Sequence, residues 1–180
     1  MFYEPSVAYG YEWINCVNDA DYEVFWGLDG TPRASDWRPV RVRRVRADHR
    51  QPFNPSDFPW LGAHALVMRR AAVDALGELL VASGEVLPLE TDDGVELFVL
   101  NATRVVDALD EGRSEITRFP GSGRIMRIKS IAFKTELLRG IDIFRLPHRA
   151  SATYVSDRVV KIVAAAGLRG LEFKNAGGEC

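Results

Sequence analysis

Cysteine is nearly absent from this 180-residue chain. Only Cys16 and Cys180 occur, too few for a disulfide scaffold. That scarcity fits a reducing cytoplasm, which is the expected compartment. Long apolar runs are missing too, so no segment is expected to span a bilayer. The opening stretch MFYEPSVAYGYEW has neither a basic start nor an apolar stretch behind it, so no secretory signal is expected. The three histidines, His49, His64 and His148, stand far apart, and no Cys/His pair has the two-to-four-residue spacing of a zinc site. No nucleophile elbow, Walker loop or dinucleotide-binding glycine pattern occurs, so neither a cofactor nor a metal is expected. What remains is an ordinary soluble composition: 47% hydrophobic and 27% charged residues, which excludes disordered and collagen-like chains.

A formal net charge of -2 conceals strong segregation. Residues 1–32 carry six acids and no base, whereas residues 33–50 carry seven arginines against Asp36 and Asp48. Residues 74–115 hold eleven acids against Arg104 and Arg113, and residues 116–174 hold twelve bases against four acids. Two readings follow. The blocks neutralise one another in the fold and leave a mixed surface. Alternatively, the 74–115 block forms an acidic face whose potential steers a basic partner. A pI near 6.0 lacks the basic excess of a nucleic-acid binder.

Periodicity assigns the elements. The aromatic-rich residues 1–31 read as short strands with turns at Asn18-Asp19 and Asp29-Gly30. Val40 and Val42 alternate with arginine as in a half-exposed strand, and the Arg43-Arg44 doublet reads as a bulge. Residues 51–62, with three prolines, read as an ordered loop with aromatic anchors. His64–Met68 is a short apolar run. Residues 69–82 have helical spacing, with Val73, Leu76, Leu79 and Leu80 inside and Gly84 as the stop. The Asp93-Gly94 pair between Val86–Glu90 and Val95–Asn101 marks a hairpin, and Pro88 places its strand at an edge. Thr103–Leu109 reads as a short helix burying Val105, Val106 and Leu109, and Arg124–Phe133 as a strand. A turn over Lys134–Arg139 ends at Gly140, and Ile141–Leu146 is a strand stopped by Pro147. Ala152–Val155 is a strand, and Ser156 caps a helix that buries Val159, Val163 and Ala166 and stops at Gly167. Leu171–Lys174 closes the chain's ordered part as a strand. Residues 66–90 and 153–174 are thus two similar strand–helix–strand units. Duplication explains them, and so does recurrence of a common local pattern. The expected class is α+β: a mostly antiparallel sheet with a few helices packed on it.

Chemistry is thinly signalled. Asp107, Asp110 and Glu111 cluster where acid–base work or cation binding is conceivable, but carboxylates beside Gly112 more often solvate a loop. Gly121-Ser122-Gly123 lacks the following helix start that a phosphate cradle needs. Cys16, in an aromatic strand without a neighbouring histidine, reads as structural.

Several segments together resemble a known family. SDFPWLGAHALVMRRAAVDAL, VLNATRVVDALDEGRSEI and LLRGIDIFRLPHRASATYVSDRVVKIVAAAGLRGLEF are similar to the immunity-protein domain of bacterial polymorphic toxin systems, of the myxobacterial type. The matching positions are Asp57-Phe58, Leu100-Asn101, Asp107, Leu109-Asp110, Ser114, Ile143-Phe144-Arg145-Leu146 and Gly167 to Phe173. The likeness covers about two-thirds of the chain, residues 56–174. It leaves 1–55 as an aromatic and arginine-rich β segment, continuous with that domain, and 175–180 as a tail.

The resemblance implies a non-enzymatic, cytoplasmic protector that binds and neutralises a cognate antibacterial toxin delivered between neighbouring cells, for instance by type VI secretion. A nuclease is the favoured toxin class, since its phosphate-binding groove is basic. The expected contacts are then Glu90, Asp92, Asp93, Asp110 and Glu111. No membrane partner is expected, nucleic acid is disfavoured, and self-association is left open. The alternatives are a small enzyme built on Asp107 and Asp110 with one histidine, and a nucleic-acid module using the arginines of 38–50, which otherwise form a snorkelling exposed strand face.

Overall fold

Strands whose two faces are both buried read as nearly continuous apolar runs, and this chain has several. The computed structural model describes residues 1–48, 51–60, 65–147 and 149–176. Its elements are β1 (Phe2–Val7), β2 (Trp13–Cys16), α1 (Tyr22–Trp26), β3 (Arg41–Val45), β4 (Ala47–Asp48), β5 (Gln51–Pro52), β6 (Leu66–Arg69), α2 (Arg70–Ser83), β7 (Gly84–Thr91), β8 (Leu97–Ala102), β9 (Glu115–Arg118), β10 (Ile125–Ser130), β11 (Ile143–Leu146), β12 (Arg149–Ser156), α3 (Asp157–Ala165) and β13 (Leu171–Asn175). The class is α+β with mostly antiparallel pairing, as the sequence predicts. A five-stranded sheet runs β2-β3-β7-β8-β6 and a four-stranded sheet β11-β12-β1-β13, beside the small pairs β9–β10 and β4–β5.

The two strand–helix–strand units share one topology. Strands β6 and β7, joined by α2, both pair antiparallel with β8 between them. Strands β12 and β13, joined by α3, both pair antiparallel with β1 between them. The middle strand of the second unit therefore comes from the other end of the chain.

Side-chain alternation divides the core. Leu66 and Met68 of β6, Leu100 and Ala102 of β8, Ile143 of β11 and Val155 of β12 join the buried stripes of α2 and α3 in one core. Val67, Leu87, Leu89, Leu97 and Val99 face the opposite way, onto Ile14, Phe25, Leu28 and Val42. Phe2, Phe144 and Tyr154 lie on the outer face of the four-stranded sheet with Phe133. These rings meet mostly edge to face at centroid distances of 5.2–5.9 Å, the geometry that aromatic quadrupoles favour.

The hairpin is present: β7 and β8 pair from Gly84↔Ala102 to Leu89↔Leu97, and Gly94 takes the left-handed conformation (φ 73°) that the turn requires. Helix α3 is capped as expected, the Ser156 hydroxyl accepting from the Arg158 amide at 3.2 Å. It buries Val159 and Val163, but Ala166 lies beyond its last turn and is exposed.

Three other expectations are corrected. Thr103–Leu109 is extended, not helical. Its backbone is claimed by neighbours: Val106 N–H donates to the Arg145 carbonyl, Arg145 N–H to that of Arg104, and Lys134 N–H to that of Ala108, so tertiary pairing overrides a weak helical pattern. Val105 is accordingly exposed, while Leu109 is buried. The Arg43-Arg44 doublet is no bulge, because β2 and β3 pair in unbroken register from Trp13↔Val45 to Cys16↔Val42. Alternation simply continues, and Arg44 falls on the inward face with Val42. Pro88 lies on an interior strand, but β3 reaches only Glu90 and Thr91 of β7. The missing N–H thus falls beyond the ladder, where the Trp37 indole donates to the Pro88 carbonyl at 2.8 Å.

Candidate interaction surface

The tip of the β7–β8 hairpin gathers three of the five predicted contact acids. Glu90, Asp92 and Asp93 face the arginines of β3. Arg41 Nη2 lies 2.7 Å from Asp92 Oδ1, and its Nε 3.8 Å from Glu90. Arg44 Nε donates to Asp93 at 3.0 Å, and this guanidinium holds the Asp93 carboxyl below its ordinary range. The acid block and the arginine block therefore neutralise each other here. Arg70 and Glu96 do the same at 3.2 Å, with the guanidinium 4.2 Å above the Phe98 ring.

Beneath the tip lies a buried charge cluster. Glu12, Ile14 and Cys16 share one parity, so Glu12 points inward with the core residues and is only 3% exposed. Its carboxylate pairs with Arg44 Nη1 at 2.9 Å, pairs closely with Arg69, and accepts from the Ser56 amide at 3.2 Å. Arg69 Nε donates onward to the Ser56 carbonyl at 2.7 Å. Both guanidiniums are themselves largely covered, 11% exposed at Arg44 and 26% at Arg69. The cluster ties β2, β3, β6 and the 54–58 loop together. A lone acid in the inward phase of an apolar strand was the sequence signal for it.

Asp110 and Glu111 form a second group, on the turn before β9. The Asp110 carboxylate accepts from the amides of Gly112 and Arg113 at 3.1 and 3.2 Å, and Ser114 Oγ donates to its carbonyl at 2.6 Å. Glu111 pairs with Arg118 at 2.6 Å. Asp107 lies exposed on the extended segment before that turn, and Asp110 is engaged in shaping the turn. No group of three or more Cys, Asp or Glu among the described residues could hold a metal, and His49, His64 and His148 lie outside those residues. Of the arginines of 38–50, Arg41 and Arg44 are engaged as above, Arg43 faces solvent, and Arg50 lies outside the described residues. Cys16 is buried, and burial, reinforced by Asp21 and Asp19, pushes its thiol up to about 11, as suits a structural cysteine.

Several residues within the sequence likeness prove to be internal fasteners. Asn101, fully buried, donates to the Thr31 carbonyl at 2.8 Å and to Glu85 at 2.9 Å. Glu85 also accepts from the amides of Arg33 and Ala34. Burial alone would raise the Glu85 carboxyl, yet these three donors hold it below its ordinary range. Asp57 accepts from the Arg169 amide at 2.8 Å. Arg145 is fully buried on β11, and burial, opposed by Asp29, lowers its guanidinium to about 10.

One open cavity of about 470 Å³ lies between the β1–β2 turn and the β4–β5 pair. Tyr9, Tyr11, Trp13 and Phe53 line it with Asp48 and Gln51. The Trp13 and Phe53 rings meet at a tilt, their centroids 4.8 Å apart and their planes inclined at 47°, and Tyr9 is 98% exposed. The aromatics are plain in the sequence but their convergence is not, since nothing local pairs residues 9–13 with residue 53. No helix among the described residues is long and apolar enough to cross a membrane.

The model of the Immunity protein family (Imm11) matches residues 87–178, from the middle of β7 onward. No curated protein matches the chain.

Proposed function

Because the chain belongs to the Imm11 immunity protein family, we propose that it is a non-enzymatic, cytoplasmic protector that binds a cognate antibacterial toxin and blocks it. The family match carries this reading. The toxin is of the interbacterial, secreted kind, and a nuclease with a basic phosphate-binding face is the class that the acid-rich loops suit best. Glu90, 61% exposed at the hairpin tip, together with Asp92, Asp93, Asp110 and Glu111, supplies carboxylates for its lysines and arginines. A toxin arriving here competes with Arg41 and Arg118 for the same oxygens. The contribution is therefore felt mainly in the association rate and its salt dependence.

The experiment co-expresses the protein with the toxin domain encoded beside it and scores survival, alongside a binding titration at two ionic strengths. Glu90→Lys, Asp92→Lys and Glu111→Lys reverse exposed charge. Asp93 and Asp110 are changed only to Asn, because Asp93 neutralises the largely covered Arg44 and Asp110 shapes its turn. Slower association, most marked at low salt, is expected. Loss of neither rate nor protection refutes the acidic contact. Failure of the unaltered protein to bind or protect refutes the immunity reading itself.

A further inference from the structure

We propose that the outer edge of β13 pairs with the same edge of a second copy of this chain, joining two four-stranded sheets around a two-fold axis at Phe173. In the order β11-β12-β1-β13, β13 is an edge strand. Such a strand presents N–H and C=O groups that template pairing with another chain. Which groups these are follows from the register with β1. Ala8 N–H donates to the Gly170 carbonyl at 3.0 Å, and Ala176 N–H to the Phe2 carbonyl at 2.9 Å. The pairs from Tyr3↔Asn175 to Val7↔Leu171 lie between those two bonds, and antiparallel ladders alternate hydrogen-bonded and non-hydrogen-bonded pairs. The backbones of Glu172 and Lys174 therefore turn towards β1, and those of Leu171, Phe173 and Asn175 turn outwards. Pro5, which has no N–H to give, falls opposite Phe173 at a non-bonded pair. One outward position earlier the edge is closed, because Asp57 N–H donates to the Arg169 carbonyl at 2.9 Å and its carboxylate accepts from the Arg169 amide. Among the described residues, nothing but β1 bonds to the backbone of 171–175.

The side chains make this edge self-complementary. Two-fold pairing at Phe173 sets that residue against its own counterpart, and Leu171 against Asn175, as hydrogen-bonded pairs. It sets Glu172 of each copy against Lys174 of the other as non-hydrogen-bonded pairs, whose Cα atoms approach to about 4.5 Å with their side chains closest. Both residues are exposed, and among the described residues neither forms an ion pair. Lys174 also stands across from Glu4 on β1, so the second copy's Glu172 completes a row of acid, base and acid across the joined sheet. A lysine on an edge strand ordinarily keeps other chains away. A glutamate two residues before it, on the same face, turns that repulsion into attraction for an antiparallel second copy. A slip of two residues either way sets Glu172 against Glu172 or Lys174 against Lys174, so the charges also fix the register. A toxin strand would need this order of charges in its own sequence, whereas a second copy carries it necessarily. On the opposite face Leu171 and Phe173 are half-buried against the core, and Tyr3 meets the Phe173 ring edge to face at 6.4 Å. Pairing covers more of Phe173 with its counterpart. Five residues on each side make a small interface, so the association is weak and concentration-dependent.

Sedimentation of the full chain from about 5 to 500 µM, with amide exchange followed by NMR at both ends of that range, tests the pairing. A dimer that grows with concentration is expected. At the upper end the amides of Leu171, Phe173 and Asn175 should exchange more slowly than at the lower end, while those of Glu172 and Lys174 stay equally protected. Glu172→Lys and Lys174→Glu each set like charges against each other twice in the dimer, and each should weaken self-association about tenfold. An equimolar mixture of the two variants should restore it, because every opposed pair is then of opposite sign. A chain that stays monomeric throughout overturns the proposal. So does a dimer that the two variants leave unchanged, or that their mixture fails to restore, since the interface then lies elsewhere or in another register. Protection of the three outward amides by the toxin domain encoded beside the chain, with no concentration dependence in the chain alone, gives the edge to a toxin strand and overturns the pairing as well. Both substitutions fall at exposed positions and should leave the melt unchanged. If either variant fails to fold, the exchange pattern of the unaltered chain decides alone.

Discussion

Replacing Glu12 with glutamine keeps the side chain's length and one acceptor oxygen but removes the negative charge that two arginines share. In the native protein that carboxylate meets Arg44, Arg69 and the Ser56 amide while only 3% exposed. Removing one member of a buried ionic cluster costs about 3–5 kcal/mol, because the remaining charges stay desolvated without their partner. The lower end applies here. Arg44 retains Asp93, and Arg69 retains the Ser56 carbonyl and is 26% exposed, so water reaches it. A loss of about 3 kcal/mol in a chain of this size lowers Tm by about 6–12 °C. The assay is a thermal melt with a urea titration beside it, in which the midpoint falls and the slope is unchanged if native and denatured states keep their compactness. A triple variant sharpens the reasoning. Glu12→Leu with Arg44→Met and Arg69→Met removes the whole cluster and leaves apolar groups of comparable bulk. It should cost less than Glu12→Gln alone, since no buried charge is stranded. A single-variant shift below about 2 °C, or a triple variant less stable than the single one, would refute the account.

Three further outcomes follow from the packing. Val163→Asp places a carboxylate in the core shared by α2 and α3, where Val163 is buried; the variant should fail to fold or lose several kcal/mol in a denaturant titration. Gly170→Ala should lower the urea midpoint clearly, because φ is +104° and the added Cβ would stand 1.9 Å from Ser56 Oγ. Stability should fall as the solution is acidified below about pH 4. Asp93 through Arg44, Asp29 through Thr31 and Glu85 through its three donors all have folded-state values below their ordinary ones. The unfolded chain therefore takes up protons first as pH falls, and the stabilisation present above the unfolded values is lost on the way down. Melts between pH 7 and 3 check this, and an unchanged Tm across that span would contradict it.

Local chemistry made much of the fold legible. The hairpin followed from Asp93-Gly94, α3 from Ser156 and its apolar stripe, and the repeated units from strand patterns of the right length. What stayed hidden depends on long-range pairing. Thr103–Leu109 has helix-like spacing, yet its backbone bonds to Ser83, Lys134 and Arg145. Strand β9 carries one half-buried residue, Ile116, among exposed ones, so its alternation is faint. Helix α1 is five residues long with Phe25 alone buried, too short for a periodic signal. The cluster joins Glu12 to Arg44 and Arg69, 32 and 57 residues away, and the aromatic cavity brings Tyr9 beside Phe53 from the far side of that span. Strand phase can place Glu12 inside, but it cannot supply the arginines that meet it.

Five polar residues of the sequence likeness, unlike the exposed Asp107, share a fate that bears on where recognition lies. Asp57 accepts from the Arg169 amide, Asn101 joins Thr31 to Glu85, Asp110 and Ser114 close the turn before β9, and Arg145 is buried in β11. Each is held by the demands of a buried or turn-forming polar group, whose loss leaves neighbours unsatisfied. A residue under that constraint is poorly placed to be exchanged when the partner changes. Under the proposed role the chain has no reaction to preserve, so its frame and its contact surface obey separate requirements. On the proposed reading, Glu90 and Glu111, both more than half exposed, are the hairpin and turn acids that can serve the second requirement at least cost to the first.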